Sequence, residues 1–165
     1  MDVAPEIMQR AAVPYAGISA WVTMEAVGSV ADSIPEIFGW LGAHGIAPAG
    51  PPFFRYHVID MERQLLVEAG IPVAAALAGD DGDIRAGTLP AGRFAVMMHT
   101  GAPETLMAAT AELLDWAKAR DLTWDVADTN QGEKWGCRLE SYLTDPREQP
   151  DMSKWQTELA FRLAD

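Results

Sequence analysis

Residues 36–46, EIFGWLGAHGI, lie over residues 112–122, ELLDWAKARDL, with glutamate on glutamate, apolar on apolar, and Trp40 on Trp116 at an offset of 116 − 40 = 76. Val13-Pro14 and Leu89-Pro90 keep the same spacing, 90 − 14 = 76. Further along, RYHVID and ESYLTD correspond at 145 − 60 = 85, and LLVEAGIPV parallels QTELAFRLA with Glu68 over Glu158 at 158 − 68 = 90. The second half therefore carries an insertion ahead of its last strands. Each half reads as strand-helix-strand-strand, residues 11–77 and 84–165. Neither half alone can cover both its helix and its strands, so the two must share a core. The expected fold is α+β, a single 165-residue domain of two pseudo-repeated modules forming one antiparallel sheet with two helices on one face. A ligand cleft is expected on the free face or at the pseudo-twofold seam.

Residues 1–9 are polar, contain Pro5, and are expected to trail the fold. Residues 11–24 favour strand through Tyr15, Trp21, Val22 and Thr23. Ser29 and Asp32 have capping-box-like spacing, and Ile34, Ile37, Phe38 and Leu41 recur at helical intervals up to Gly45. Pro35 fits only a first turn or a kink. Strands follow at 53–59 and 65–76, then an acidic turn at 78–83. The second half predicts a strand at 88–100 and a helix at 103–120 with Leu106, Leu113, Trp116 and Ala117 on one side. Its last two strands, 137–144 and 155–163, are joined by an acidic, Pro-containing loop.

Twelve Lys and Arg against 24 Asp and Glu give a net charge of −12. That charge opposes the counterion release that drives nucleic-acid binding, so no direct nucleic-acid binding is expected. One cysteine, Cys137, excludes an intramolecular disulfide and reads as a small core residue; it suits a reducing cytoplasm. The N-terminus has no secretory signal, and the longest weakly polar run, 71–79, is about half of what a membrane span needs, so no membrane association is expected. His44, His57 and His99 are scattered and lack metal-ligand spacing, and Asp80, Asp81 and Asp83 have no EF-hand pattern, so no metal is expected. No phosphate or dinucleotide loop is present and no cofactor is implied. Residues 17–21, GISAW, fall short of a nucleophile elbow. Six Trp and eight Met offer large polarisable surface suited to apolar ligands.

The candidate site lies on the strand at 137–144. Side chains alternate along a strand, so Arg138, Glu140 and Tyr142 share one face, with a carboxylate beside an aromatic ring. A buried Glu140 needs a cation, hydrogen bonds or a proton to offset its desolvation. The bland alternative is a solvated face with an Arg138–Glu140 ion pair worth about 0–1 kcal/mol. Tyr142 and Trp155 could stack on a planar ligand or simply pack in the sheet. Trp40 and Trp116, at matched helix positions, read as core. His57 should face away from Tyr56, whereas His99 could reach a pocket. Of Met97 and Met98, only one can face it.

Four stretches, GPPFFRYHVID, VEAGIPV, LPAGRFAVMMHTG and WGCRLESYLTDPREQPDMSKWQTELAFRL, in this order and spacing, resemble the GyrI-like small-molecule-binding domain. That domain is also met as the effector-binding domain of bacterial multidrug-responsive activators. The resemblance implies a cleft for bulky lipophilic, aromatic or cationic molecules with a glutamate as counter-ion, which falls on Glu140. Tyr142 and Trp155 match pocket-lining positions; Phe54, Tyr56 and Trp21 match less closely. No DNA-binding segment precedes residue 11, which implies the stand-alone type. The leading expectation is a binding or sequestering protein for drugs or toxins. A hydrolase that opens strained electrophilic rings, with Glu140 as acid or base and Tyr142 orienting the substrate, is the alternative. The third is a protein-interaction module like those that shield gyrase from inhibitors.

Overall fold

The computed structural model describes residues 2–165. Among the described residues ten strands form one antiparallel sheet. They are β1 (Glu6–Arg10), β2 (Val13–Val22), β3 (Phe53–Ile59), β4 (Leu65–Pro72), β5 (Arg85–Leu89), β6 (Gly92–Thr100), β7 (Val126–Thr129), β8 (Gly132–Trp135), β9 (Arg138–Tyr142) and β10 (Gln156–Arg162). Two helices, α1 (Ser33–Ala43) and α2 (Leu106–Ala119), follow β2 and β6. A 3₁₀ segment, Met24–Asp32, leads into α1, and a single 3₁₀ turn, Pro103–Thr105, leads into α2. Pro35 sits in the first turn of α1, where its missing N–H costs nothing. The capping box does not form: the Ser29 hydroxyl turns back to the Ala26 carbonyl, and the Asp32 side chain caps nothing.

Along the sheet the order is β1-β6-β10-β9-β3-β4-β2-β5, with the β7–β8 hairpin attached to β3 through β8. Reading outward from β9 and β3, each half runs last-but-one strand, last strand, first strand. The outermost strands are exchanged: β1 precedes β2 but pairs with β6, and β5 precedes β6 but pairs with β2. Only two residues separate β1 from β2, a reach of about 10 Å. The two ends of the sheet must therefore approach each other, and the sheet is curled. Residues 2–9 do not trail the fold, as the polarity of the segment suggests, and Met1 lies outside the described residues. They supply an edge strand, with Val3 N–H on the Met98 carbonyl, and edge strands need little apolar surface.

The predicted strand at 88–100 is two strands broken at Pro90-Ala91. The predicted strand at 65–76 stops at Pro72. The β7–β8 hairpin occupies the inserted residues of the second half. Helix equivalence at 76 holds in the packing, since Ile37 and Leu113 are both fully buried, as are Leu41 and Ala117. Strand equivalences do not follow the same numbers. Val13 and Leu89 are ladder partners rather than counterparts. An offset of 85 would superpose Arg55 on Glu140, yet Glu140 pairs with Phe54, so Arg55 faces the opposite side.

Three clusters form the core. Under α1 lie Ile37, Leu41, Phe54, Val67, Ala69 and Ile71. Under α2 lie Ala95, Met97, Leu113, Leu159 and Phe161. The face away from the helices, inside the curl, holds Tyr15, Phe53, Phe94, Val96, Cys137, Leu139 and Ala160.

Candidate functional site

α1 packs on β4 and α2 on β6, with β3, β9 and β10 between them. Four strand spacings separate β4 from β6, about 19 Å, and a helix is about 10 Å across, so on the order of 9 Å of sheet lies open between the helices. β9 runs down the middle of this furrow. Its register aligns Leu159, Glu140, Phe54 and Ala69 in one row on the helix side, with Tyr142 and Tyr56 beside them.

Both tyrosine hydroxyls donate to one carboxylate oxygen of Glu140: Tyr142 Oη lies 2.8 Å from Oε1 and Tyr56 Oη 3.0 Å. Phe54, buried beneath, meets Tyr142 edge-on with ring centres 5.2 Å apart, and Tyr56 at 6.4 Å. Burial pushes the Glu140 carboxyl above the ordinary range, while the Tyr142 and Tyr56 hydrogen bonds and the nearby Arg138 charge pull it back. Burial, with the facing carboxylate, holds both phenols well above their usual value, so they remain donors. Among the described residues no donor reaches Oε2, and no Lys, Arg or His forms an ion pair with Glu140. The Arg138–Glu140 surface pair is thus not made. The Arg138 guanidinium lies instead over the rings of Phe161 and Trp135, at 4.5 and 4.8 Å from their centres. The result is a half-buried carboxylate with one satisfied oxygen and one free one, walled by aromatic rings.

Phe54 and Tyr56, the weaker carry-overs, therefore stand closest to Glu140 together with Tyr142. The half-buried Trp155 donates its indole N–H to the Gln149 carbonyl, 2.7 Å away in the β9–β10 loop. His99 is committed elsewhere: Nδ1 meets Asp2 and Nε2 meets Thr105, each at 2.7 Å, at the start of α2. Trp21 lies on the opposite face of the sheet, 43% exposed, in a shallow groove of about 340 Å³ with Arg63, Gln64, Asn130 and Gln131. A larger groove of about 730 Å³ runs between Trp40, His44 and residues 74–81, where Trp40 stacks on His44 and donates to Asp81. Trp40 and Trp116 are half-buried, each against its own helix cluster. Met97 faces the α2 cluster. Cys137 is fully buried, and its thiol is pushed up to about 11 by desolvation, as a core residue's would be.

Glu68 escaped the sequence reading. It is 5% exposed on the inner face of the curl, where Tyr15 Oη donates to Oε1 and His57 Nε2 lies 2.8 Å from it. Arg55 donates to the same Tyr15 hydroxyl at 3.1 Å. His57 does face away from Tyr56, as alternation requires. The available signal was a lone charge inside the otherwise apolar run LLVEAGIPV. Both partners of Glu68 meet Oε1, as both tyrosines do at Glu140, but at Glu68 one of them is the ring nitrogen of His57. Among the described residues no cluster of three or more metal-ligating side chains occurs, and no helix is long and apolar enough to cross a membrane.

The profile of the GyrI-like small molecule binding domain matches residues 4–164. The chain belongs to this family. No curated protein sequence matches significantly. Among solved structures, this GyrI-like domain is similar to EcmrR in a complex with DNA, with a TM-score of 0.77 and 20% identity over 98% of this chain. It spans 57% of that EcmrR chain. The isolated EcmrR C-terminal domain is similar over 98% of both chains, at a TM-score of 0.70 and 17% identity. SAV2435 bound to tetraphenylphosphonium matches over 98% of this chain and 94% of its own, at 0.62 and 11%. A hydrolase from Listeria innocua matches over 97% and 91%, at 0.61 and 13%. At these identities the likeness establishes a shared fold.

Proposed function

We propose that this GyrI-like domain binds a lipophilic aromatic or cationic small molecule in the furrow between α1 and α2. Glu140 supplies the counter-charge, and Phe54, Tyr56 and Tyr142 supply the aromatic wall, with Trp155 beyond Tyr142 in the same hairpin. The observation that carries this reading is the half-buried Glu140 carboxylate that meets no cation and keeps Oε2 free. A carboxylate in that position costs stability unless something else completes it, and a delocalised cation against aromatic rings does so cheaply. A relative of the same fold that binds tetraphenylphosphonium supports the ligand class. His99 and Trp21 are outside this site. A single buried thiol suits a cytoplasmic location.

A second reading is a hydrolase of strained-ring electrophiles. The upward push on the Glu140 carboxyl favours it, because proton donation needs a raised value. The converging hydroxyls of Tyr56 and Tyr142 favour the ionised form and hence the binding reading. Tryptophan fluorescence titration with tetraphenylphosphonium and one strained-ring electrophile, on wild type and Glu140→Gln, separates the two when each mixture is then examined by mass spectrometry. Quenching by the cation with intact ligand recovered, weakened at least about tenfold in the variant, is expected. A hydrated electrophile formed by wild type and lost in Glu140→Gln would establish the hydrolase. Equal binding by both proteins with no turnover would remove Glu140 from the site.

A further inference from the structure

Arg138 precedes Glu140 by two residues and shares its face, since Phe161 pairs with Arg138 and Leu159 with Glu140 across β10. Two residues of extended chain separate them by about 7 Å. The other half-buried arginines are all anchored by hydrogen bonds to the protein: Arg55 to Tyr15, Thr88 and Gly136, with its buried Nε left over, Arg162 to Ala91, Asp125 and Asp165, Arg10 to Glu158. Arg138 is held differently. Its guanidinium rests over the ring faces of Phe161 and Trp135 and meets no acceptor among the described residues. Ring stacking uses the face of the guanidinium, so the in-plane N–H fork stays available to an acceptor. The indole N–H of Trp135, a residue only 5% exposed, is likewise without an acceptor. A buried donor left unpaired is uncommon and calls for a partner. The furrow thus offers a free donor at Arg138 and, two residues along the same strand with Cα atoms about 7 Å apart, a free acceptor at Glu140.

Resting on the reading of Glu140 as counter-charge, the geometry points to an amphoteric aromatic ligand: a cationic or N–H-donating group on Glu140 and a carboxylate or carbonyl on the Arg138 fork. Arg138 is then a specificity-determining residue. It favours ligands that add a matching acceptor over those that carry positive charge alone. The aromatic body between the two polar ends lies against Tyr56, which follows Phe54 on β3 toward the Arg138 end of β9.

The test uses two probes that differ in one group, 1-naphthylmethylamine and 4-(aminomethyl)-1-naphthoic acid, titrated calorimetrically into wild type, Arg138→Met, Arg138→Lys and Glu140→Gln. Wild type is expected to bind the amino acid about tenfold more tightly than the amine. Arg138→Met should reverse that order, weakening the amino acid and strengthening the amine. Arg138→Lys, which keeps the charge, should retain the wild-type order and so guards against misfolding of the Met variant. A wild type that prefers the amine, or an unchanged ratio in Arg138→Met with Arg138→Lys folded and binding, overturns the inference. Glu140→Gln reads the underlying proposal separately: loss of amine binding sustains it, and unaltered binding of both probes removes it whatever the Arg138 ratio. Failure of wild type to bind either probe defeats both.

Discussion

Glu140 bears its charge where charge is expensive, and the protein offsets only half of that expense with two phenolic hydrogen bonds. Burial raises its carboxyl above the ordinary 4.5. A carboxyl raised in the folded state contributes stability below the unfolded value and loses it as pH rises through the folded value. At neutral pH the charge is therefore a liability. Glu140→Gln keeps an oxygen for Tyr56 and Tyr142 and should raise stability by about 1 kcal/mol at pH 7, the gain vanishing below pH 4. Thermal melts across that range check it. Binding has the opposite sign: cation affinity in wild type should fall on acidification through a midpoint above 4.5, and Glu140→Gln should show no such titration. Affinity measured from pH 8 to pH 4 reads both. At Glu68 the packing leaves no slack. A methyl on Gly17 would stand 2.5 Å from its Oε2, so Gly17→Ala should cost about 1–3 kcal/mol in denaturant unfolding by displacing Glu68 from Tyr15 and His57. The face shared by Arg138, Glu140 and Tyr142 was legible in sequence because alternation is a local rule. Phe54 and Tyr56 were named only through the family resemblance, because their place beside Glu140 depends on the β3–β9 register, a contact across more than 80 residues.

At the scale of elements, the exchange of β1 and β5 ties the two halves together more firmly than the seam alone. Deleting residues 1–10 would strip β6 of its outer partner and free His99 from Asp2. The expected result is a loss of at least about 2 kcal/mol and self-association through the bared edge, read by melting and by size-exclusion chromatography. Unchanged melting and a monomeric profile would show that β1 is dispensable. Both helices, and β3 to the residue, were legible from periodicity and turn residues. β1 was not, because its side chains are nearly all exposed and carry no apolar alternation. Trp21 shows the same limit from the other side. Its place in a strand was readable, but which face of β2 meets α1 is set by Ala16 and Ile18 packing under the helix. The β7–β8 hairpin was visible only as a jump in the repeat offset.

The whole molecule carries a charge of −12, which attracts cations toward the furrow before they touch it. Association rates for a cationic ligand should fall several-fold between about 10 mM and 150 mM salt, as the Debye length shrinks from about 30 to 8 Å, while dissociation changes little. Stopped-flow fluorescence measures both, and a salt-independent association rate would deny the steering. The measurement that tests the central claim most directly is a crystal structure with tetraphenylphosphonium. The account predicts the cation between α1 and α2, over β9 and β3, with its rings against Tyr142, Tyr56 and Phe54 and its charge toward Glu140 Oε2. A cation seated instead in the groove between Trp40 and Asp81, with the Glu140 site unaltered, would contradict it.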